Sequence, residues 1–364
     1  MIVVRRINEK EIAVDINKPS SILFHKEDID KYGINPEKSS LNDIEKFLKA
    51  DSEVVPFELT WEITSRCNLN CPFCYIHNHV HYNDVSFETA KPYLDEMISS
   101  GLIRATLTGG ECTLNKDFES IYRYFKENGV LVDVYTNGIL LNESIFTLFG
   151  KYPPNRVEMT IYDSINNQPK PYENALKLKK SNINVLIKFT VTTTTLQYYE
   201  EVREWCSANG FSFKFDTDIS DAFDESLTSQ YQIELSEKVR LDRIRANNKS
   251  AKKDMTCFSC GAGNVSYHIN SNFELGLCCR DKDRYPLIGS SFDDRYSEMK
   301  QKILKFKHQP YEGCSMCFAK PICRMCFLRA IKAESAGGTV SLKAPEKFCT
   351  ETQKYYRCLF DENE

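Results

Sequence analysis

Three cysteines stand close together in the stretch TSRCNLNCPFCY: Cys67, Cys71 and Cys74. Gaps of two and three residues favour chelation, because neighbouring thiolates can converge on one metal centre. Structural zinc and a [4Fe-4S] cluster both normally take four protein ligands. Three cysteines would leave one iron of such a cluster open, and an open iron can bind a small molecule. An alternative fourth ligand is offered by the alternating histidines that follow: His77, His79 and His81.

The composition limits the class of protein to which this chain can belong. The chain has 364 residues, which at roughly 150 residues per domain predicts about two domains. Its formal net charge is -4, so no strongly basic surface predicts a nucleic-acid partner. We find no secretory signal and no long apolar window, so we predict a cytoplasmic protein without membrane contact. The 15 cysteines are therefore better explained by metal binding than by disulfides.

The segment from Cys67 to Cys74 resembles the C-x3-C-x-aromatic-C signature of radical S-adenosylmethionine (SAM) enzymes. Phe73 fills the aromatic position, and Tyr75 follows the last cysteine. The resemblance implies that the open iron of a [4Fe-4S] cluster binds the amino and carboxylate groups of SAM. It implies that one electron then releases a 5′-deoxyadenosyl radical, which abstracts a hydrogen atom from the substrate. A flavodoxin- or ferredoxin-type protein is the implied electron donor.

The hydrophobic pattern alternates between strands and helices across the middle of the chain. We predict strands at about 57–63, 104–111, 130–138, 156–163, 183–191 and 211–218, with helices at about 87–100, 116–129, 171–181 and 196–209. Such alternation favours an α/β fold with a parallel sheet and crossover helices. The resemblance implies the partial (β/α)6 barrel of the radical SAM family. A doubly wound sheet of another enzyme class is the alternative.

Two short motifs at predicted strand ends resemble SAM-binding segments of the family. TGGE (108–111) is similar to the GGE motif, in which glycines let the backbone approach SAM and the glutamate pairs with its amino group. TNG (136–138) is similar to a segment near the ribose, although a simple turn is the alternative. Residues on the fifth strand are expected at the SAM carboxylate or ribose. The residues implied to bind SAM are Phe73, Tyr75, Thr108, Gly109, Gly110, Glu111, Thr136, Asn137, Lys188 and Thr190.

The region after residue 256 resembles a SPASM domain, a cysteine-rich extension that holds two auxiliary [4Fe-4S] clusters, which makes three clusters in all. The implied ligands of the first auxiliary cluster are Cys257, Cys260, Cys278 and Cys326. Those of the second are Cys314, Cys317, Cys323 and Cys349. Cys279 and Cys358 remain alternatives to Cys278 and Cys349, and two zinc sites are the alternative to clusters. The glycine expected before Cys278 is absent, and Asn272 is the predicted substitute in the left-handed conformation.

Radical SAM enzymes of this layout commonly modify ribosomally made peptides. We therefore predict a maturase that forms a thioether or carbon–carbon crosslink in a precursor peptide carrying a leader. A peptide epimerase, an anaerobic sulfatase-maturing enzyme and a small-molecule dehydrogenase are alternatives, and a non-enzymatic iron–sulfur module is the remaining class. Asp216, with Asp218 nearby, is a candidate base or peptide-binding group. Spare thiols that could quench a substrate radical are Cys358, Cys279 and Cys112.

These motifs divide the chain into four predicted segments. The first is a strand and helix extension, which is either a cap on the barrel or a reduced leader-binding module. The second is the barrel, the third a helical bridge, and the fourth the SPASM domain with a C-terminal helix. Their ranges are 1–56, 57–220, 221–256 and 257–364.

Overall fold

The structure is a computed structural model. It describes three N-terminal strands and residues 57–76, 84–219, 229–245, 262–263, 266–306 and 340–360, with parts of 313–334. Cys257 and Cys260, the three histidines after Cys74 and much of the predicted bridge lie outside the described residues. The chain forms two compact units, one from residues 1–232 with 263–299 and one from 233–262 with 300–364.

A small antiparallel sheet begins the first unit, with its strands in sequence order. The strands are β1 (Ile2–Ile7), β2 (Lys10–Asp15) and β3 (Ile22–Phe24). Residue Ile2 pairs with Asp15 and Ile7 with Lys10, so the first two strands form a tight hairpin.

A nine-stranded sheet forms the centre of the first unit. Six of its strands are parallel neighbours: β4 (Glu58–Glu62), β5 (Arg104–Thr108), β6 (Leu131–Thr136), β7 (Arg156–Ile161), β8 (Val185–Thr190) and β9 (Ser212–Asp216). They pair in sequence order, which is the arrangement that strand–helix alternation produces. The predicted α/β fold with a six-stranded parallel sheet is confirmed.

Five helices connect these strands. They are α1 (Phe87–Ser99), α2 (Phe118–Glu127), α3 (Glu143–Lys151), α4 (Pro169–Lys180) and α5 (Tyr199–Ala208). The Ser86 hydroxyl accepts a hydrogen bond from the Thr89 N–H, and this cap starts α1, which continues past Pro92. Helix α3 was not among the predicted helices, although Asn142 caps it by accepting from the Ile145 N–H. Its nine residues make the periodic signal short. No helix in the described part of the chain has the length and apolarity of a membrane span.

The two faces of the parallel strands have different chemistry. On β7 and β8, the buried residues Val157, Met159 and Ile187 alternate with polar residues that line a cavity, among them Glu158 and Lys188. Strand geometry sends successive side chains to opposite faces. One face therefore supplies the apolar core under the helices, and the other supplies polar groups to the cavity.

Charged pairs cross-link the polar face. The Asp133 carboxylate is fully buried and contacts the Arg104 guanidinium, while the Arg156 Nη2 lies 3.2 Å from its Oδ2. The Glu158 carboxylate, also buried, lies 2.8 Å from the Lys214 ammonium. Buried charges need such partners, because an unpaired ion is costly in a low-dielectric interior.

The sheet continues beyond β4 with residues from the predicted SPASM segment. We call β10 (Ser266–Ile269), β11 (Glu274–Gly276) and β12 (Tyr285–Pro286) the sheet extension, which helix α7 (Phe292–Phe306) follows. Strand β10 pairs parallel to β4, whereas β11 and β12 are antiparallel to their neighbours. Residues 263–299 thus belong to the same compact unit as the parallel sheet.

The turn between β10 and β11 corrects one expectation. The left-handed residue is Phe273, with φ 61°, and not Asn272. The Phe273 ring is fully buried and lies 5.5 Å from the Trp61 ring and 5.3 Å from the Tyr93 ring. A left-handed non-glycine residue costs roughly 1–2 kcal/mol. Burial of an aromatic ring offsets this strain, which turn propensity alone does not reveal.

We expect the substitution Phe273→Gly to destabilise the protein, although it relieves the backbone strain. Losing a buried phenylalanine costs about 3–5 kcal/mol, against a relief of about 1–2 kcal/mol. Chemical denaturation should therefore show a net loss of about 1–4 kcal/mol. Asn182→Gly is the matched control, since Asn182 has φ 58° and is exposed, and it should change the free energy of unfolding by less than about 1 kcal/mol. A Phe273→Gly protein more stable than the parent would contradict this account.

The second unit contains a hairpin and two helices in its described part. These are β13 (Ile331–Glu334), β14 (Val340–Lys343), α6 (Leu235–Arg245) and α8 (Glu346–Phe360). The helices α6 and α8 pack together, and the Arg243 Nη2 donates to the Cys358 carbonyl at 2.8 Å. The Lys238 ammonium lies over the Tyr355 ring, 5.1 Å from its centroid.

Candidate functional site

A cavity of about 610 Å³ lies in the first unit where the parallel strands end. Parallel α/β folds place ligands at this edge, because several loops converge there. The cavity is lined by the three cysteines of the predicted signature and by all of the predicted SAM-binding residues except Glu111. The structure therefore gathers, around one space, residues that are more than 100 positions apart in the chain.

The loop that follows β4, residues 63–76, carries Cys67, Cys71 and Cys74, and we call it the three-cysteine loop. The Leu69 N–H donates to the Cys67 Sγ at 3.4 Å, and the Cys74 N–H donates to the Cys71 carbonyl at 3.1 Å. Burial, followed by the nearby thiols of Cys74 and Cys67, raises the pKa of Cys71 to about 12. The three sulfurs are thus close enough to oppose one another's ionisation.

The donor set of this loop fits an iron–sulfur cluster with three protein ligands. Thiolates that repel one another are stabilised by a positively charged metal centre. In a cubane each cysteine binds a different iron, so its ligands are spread more widely than those of one ion. Cys67, Cys71 and Cys74 are the residues that would hold the cluster.

The two glycines after β5 allow close packing against the three-cysteine loop. The Gly110 N–H donates to the Thr64 carbonyl at 3.0 Å, and the Glu111 N–H donates to the Arg66 carbonyl at 2.7 Å. A Cβ on Gly109 would overlap the Thr64 carbonyl oxygen, and one on Gly110 would overlap that of Arg66. The glycines are therefore required by the neighbouring chain, in addition to any approach of a ligand.

Glu111 lies behind the cavity wall. Its carboxylate is fully buried and accepts from the Thr113 hydroxyl at 2.7 Å, the Thr136 hydroxyl at 2.7 Å and the Asn137 N–H at 2.7 Å. These donors already occupy both carboxylate oxygens. The direct pairing with the SAM amino group that the motif implies therefore stays a prediction, whereas the contacts show that Glu111 orders the segment after β6.

The segment after β6 is tied to the three-cysteine loop. The Asn137 Nδ2 donates to the Asn68 side-chain oxygen at 2.8 Å, and the Asn137 Oδ1 accepts from the Ile139 N–H at 3.0 Å. The Gly138 N–H donates to the Thr136 hydroxyl at 2.9 Å. Thr136 and Asn137 both line the cavity. These contacts fix the segment beside the three-cysteine loop, and its role at the ribose stays a prediction.

The far wall of the cavity is formed by β8 and β9 and carries paired charges. The Lys188 ammonium lies 3.1 Å from the Asp216 Oδ2, and both residues line the cavity together with Thr190 and Asp218. A ligand carboxylate at Lys188 would thus meet an ammonium that already has one carboxylate partner. Asp216 faces the cavity as predicted by its position, and its role stays a prediction.

The spare thiols occupy different environments. Cys279 lines the cavity, beside Cys278. Cys112 is fully buried, and its Sγ donates to the Tyr135 carbonyl at 3.2 Å, which is the environment of a structural cysteine. Cys358 lies on α8 in the second unit. Among these candidates within the first unit, Cys279 has access to the cavity and Cys112 does not.

Four cysteines of the predicted second auxiliary site lie near one another in the second unit. Burial, followed by the nearby thiols of Cys323, Cys349 and Cys317, raises the pKa of Cys314. Burial and the Cys317 thiol likewise raise the pKa of Cys349. Of the first predicted set, Cys278 belongs to the first unit and Cys326 to the second.

A polar group beside the cavity was not identified from the sequence. Glu62, at the end of β4, lies 3.0 Å through its Oε1 from the His268 Nε2, and the His268 Nδ1 lies 3.1 Å from the Arg284 Nη1. Burial opposes ionisation of Glu62, but its hydrogen bonds with His268 and Tyr75 and the nearby Arg284 outweigh burial and lower its pKa. The sequence signal was weak, because Glu62 continues the alternation of polar residues in β4 and His268 lies in a strand of four residues.

Comparison with known proteins agrees with this geometry. The profile of the radical SAM superfamily matches residues 61–212. The uncharacterized protein MJ0907 of Methanocaldococcus jannaschii is 31% identical over 244 residues, which cover 60% of this chain and 84% of the relative. The chain belongs to the radical SAM superfamily. The family predicted from the cysteine signature is thereby confirmed, and with it the prediction that the protein is an enzyme.

Other relatives of this radical SAM protein match more distantly. The sporulation killing factor maturation protein SkfB of Bacillus subtilis is 24% identical over 247 residues, or 62% of this chain and 60% of SkfB. The crystal structure of Streptococcus suis SuiB bound to S-adenosylmethionine superposes with a TM-score of 0.63 at 15% identity. That match covers 90% of this chain and 94% of SuiB. The SuiB likeness supports the same fold over nearly the whole length of both chains.

Proposed function

We propose that this radical SAM enzyme modifies a ribosomally made precursor peptide and forms a thioether or carbon–carbon crosslink. The observation that carries the proposal is the convergence of three cysteines, two glycines and the Thr136–Asn137 segment around one cavity. Few other functions need an iron–sulfur site with three cysteines at the open end of a parallel sheet. SAM and a [4Fe-4S] cluster are the cofactors that this arrangement would hold.

The residues around the cavity have distinct proposed roles. Cys67, Cys71 and Cys74 would hold the cluster, which together with bound SAM would supply a 5′-deoxyadenosyl radical for hydrogen abstraction. The backbone of Gly109 and Gly110, which lines the cavity, would offer hydrogen-bonding groups to the polar end of SAM. Thr136 and Asn137 orient its ribose, while the walls exclude water from the reacting centre.

A peptide substrate is supported by the relatives. SkfB is a maturation protein of a sporulation killing factor, and SuiB has been solved with its precursor peptide SuiA. The paired charges of Lys188 and Asp216 line the cavity and offer both signs to peptide groups. We propose that a precursor peptide with a leader enters here.

A crosslink is favoured over epimerisation by electron balance. Forming a new bond between two peptide atoms removes two hydrogens, so a second electron must leave the substrate. The four neighbouring cysteines Cys314, Cys317, Cys323 and Cys349 are suited to an auxiliary cluster that accepts it. A second auxiliary cluster would take Cys257, Cys260, Cys278 and Cys326. A flavodoxin- or ferredoxin-type partner would deliver the first electron.

The proposal can be tested in two steps on anaerobically reconstituted protein. Dithionite-reduced enzyme should release 5′-deoxyadenosine from SAM, and no release at all would overturn the radical SAM function of this chain. With a precursor peptide encoded beside its gene, the product should be lighter by about 2 Da. An unchanged mass with deuterium uptake from heavy water would instead establish an epimerase, and modification of a sulfatase side chain would establish a sulfatase-maturing enzyme.

A further inference from the structure

A chain of polar side chains, of which Glu62 and His268 are buried, joins the sheet extension to the wall of the SAM cavity. Glu62 and His268 are 5% and 2% exposed, and their side chains lie 3.0 Å apart. His268 and Tyr75 line the cavity, whereas Glu62 joins them from behind. Tyr75 follows the last cysteine of the three-cysteine loop and lies beside the Glu62 carboxylate.

The hydrogen bonds among these side chains determine the tautomer of His268. The Arg284 guanidinium has only donors, so the His268 Nδ1 at 3.1 Å must accept. The His268 Nε2 therefore carries the proton and donates to Glu62. The imidazole links a carboxylate on one side to a guanidinium on the other, which fixes its ring orientation.

A hydrogen bond and the space beside a glycine fit the position of Arg284. Its Nη2 donates to the Cys279 carbonyl at 3.2 Å. Gly276, on β11, leaves room for the guanidinium, because a Cβ there would overlap the Arg284 Nη1. The contacts of Arg284, the tautomer of His268 and the space beside Gly276 are therefore consistent with one another along the chain from Arg284 to Tyr75.

We infer that His268 and Arg284 are positioning residues for the three-cysteine loop, acting through Glu62 and Tyr75. Both lie outside residues 61–212, the part that matches the superfamily profile. The inference rests on the proposed binding of SAM at this loop. It means that the sheet extension completes the SAM site, besides carrying Cys278. Mutation of residues that orient metal ligands through hydrogen bonds typically costs about 10–100-fold in metal affinity or activity.

The test compares His268→Leu with His268→Gln in reconstituted enzyme. Leucine removes both hydrogen bonds, whereas glutamine offers one donor and one acceptor. With dithionite, SAM and no peptide, His268→Leu should raise the KM for SAM at least about tenfold while kcat for 5′-deoxyadenosine release changes less than about threefold. His268→Gln should return the KM to within about threefold of the parent. Electron paramagnetic resonance of the reduced cluster should show a weaker SAM-induced change in His268→Leu.

Arg284→Met provides a second variant should His268→Leu lose its iron or fail to fold. It should also raise the KM for SAM, whereas Lys282→Met, an exposed lysine in the same hairpin, should not. A parental KM and a parental resonance spectrum in Arg284→Met or in folded His268→Leu would overturn the inference. Absence of 5′-deoxyadenosine from the parent enzyme would instead overturn the proposed function, so the two failures are distinguishable.

Discussion

Replacing Cys71 with alanine should abolish reductive cleavage of SAM. Cys71 lies in the middle of the three-cysteine loop, and its sulfur is close to those of Cys67 and Cys74. With two ligands left, the SAM-binding cluster should not persist. We expect about four fewer iron atoms per chain, and release of 5′-deoxyadenosine should fall by more than about 100-fold. Iron analysis and chromatography of the reaction products measure these two effects.

Cys206→Ala is the matched control for this prediction. Cys206 is 1% exposed on α5, and burial raises its pKa to about 12, as for Cys71, but it does not line the cavity. Its replacement should leave iron content and SAM cleavage near the parental values. Equal losses in the two variants would show that cysteine content in general, and not this loop, determines cluster binding.

The second large effect is expected from Gly110→Ala. The added methyl group would overlap the Arg66 carbonyl oxygen and lie 2.7 Å from that of Ser65, both in the three-cysteine loop. Backbone atoms cannot rotate away as a side chain can, so the loop must move. A displacement of about 1 Å near a reacting centre can cost about 100-fold in rate, and we expect kcat/KM for SAM cleavage to fall by about that factor.

Gly150→Ala separates the local clash from a general effect of replacing glycine. Gly150 lies near the end of α3, and a Cβ there would meet no atom within 4 Å. Alanine favours a helix over glycine by up to about 1 kcal/mol, so this variant should be slightly more stable and fully active. A fully active Gly110→Ala enzyme would contradict the close packing between β5 and the three-cysteine loop.

The strand–helix alternation is where sequence and structure agree best. Runs such as RVEMTIYD are apolar on one face and polar on the other, and they become the strand Arg156–Ile161. Helix α3 was missed because nine residues give little periodic signal. The strands of the sheet extension were missed because they are two to four residues long and follow no alternation with helices.

The sequence located the motifs that are predicted to bind SAM, but it did not predict their internal contacts. Short motifs identify residues that are expected at one edge of a sheet, and these residues do line one cavity. The orientation of Glu111, away from the cavity and towards Asn137, depends on the distance between β5 and β6. The left-handed Phe273 depends on rings from Trp61 and Tyr93, which are distant in the chain.

The sequence by itself determined the family, the α/β fold and the three cysteines, because each depends on local spacing. The cysteines are separated by gaps of two and three residues, and the strands and helices have periods of two and 3.6 residues. The tertiary structure alone decided that residues from the sheet extension support the three-cysteine loop. His268 and Glu62 are 206 positions apart, and only the parallel pairing of β10 with β4 brings an imidazole against a carboxylate. Such pairing depends on long-range packing, which no local pattern encodes.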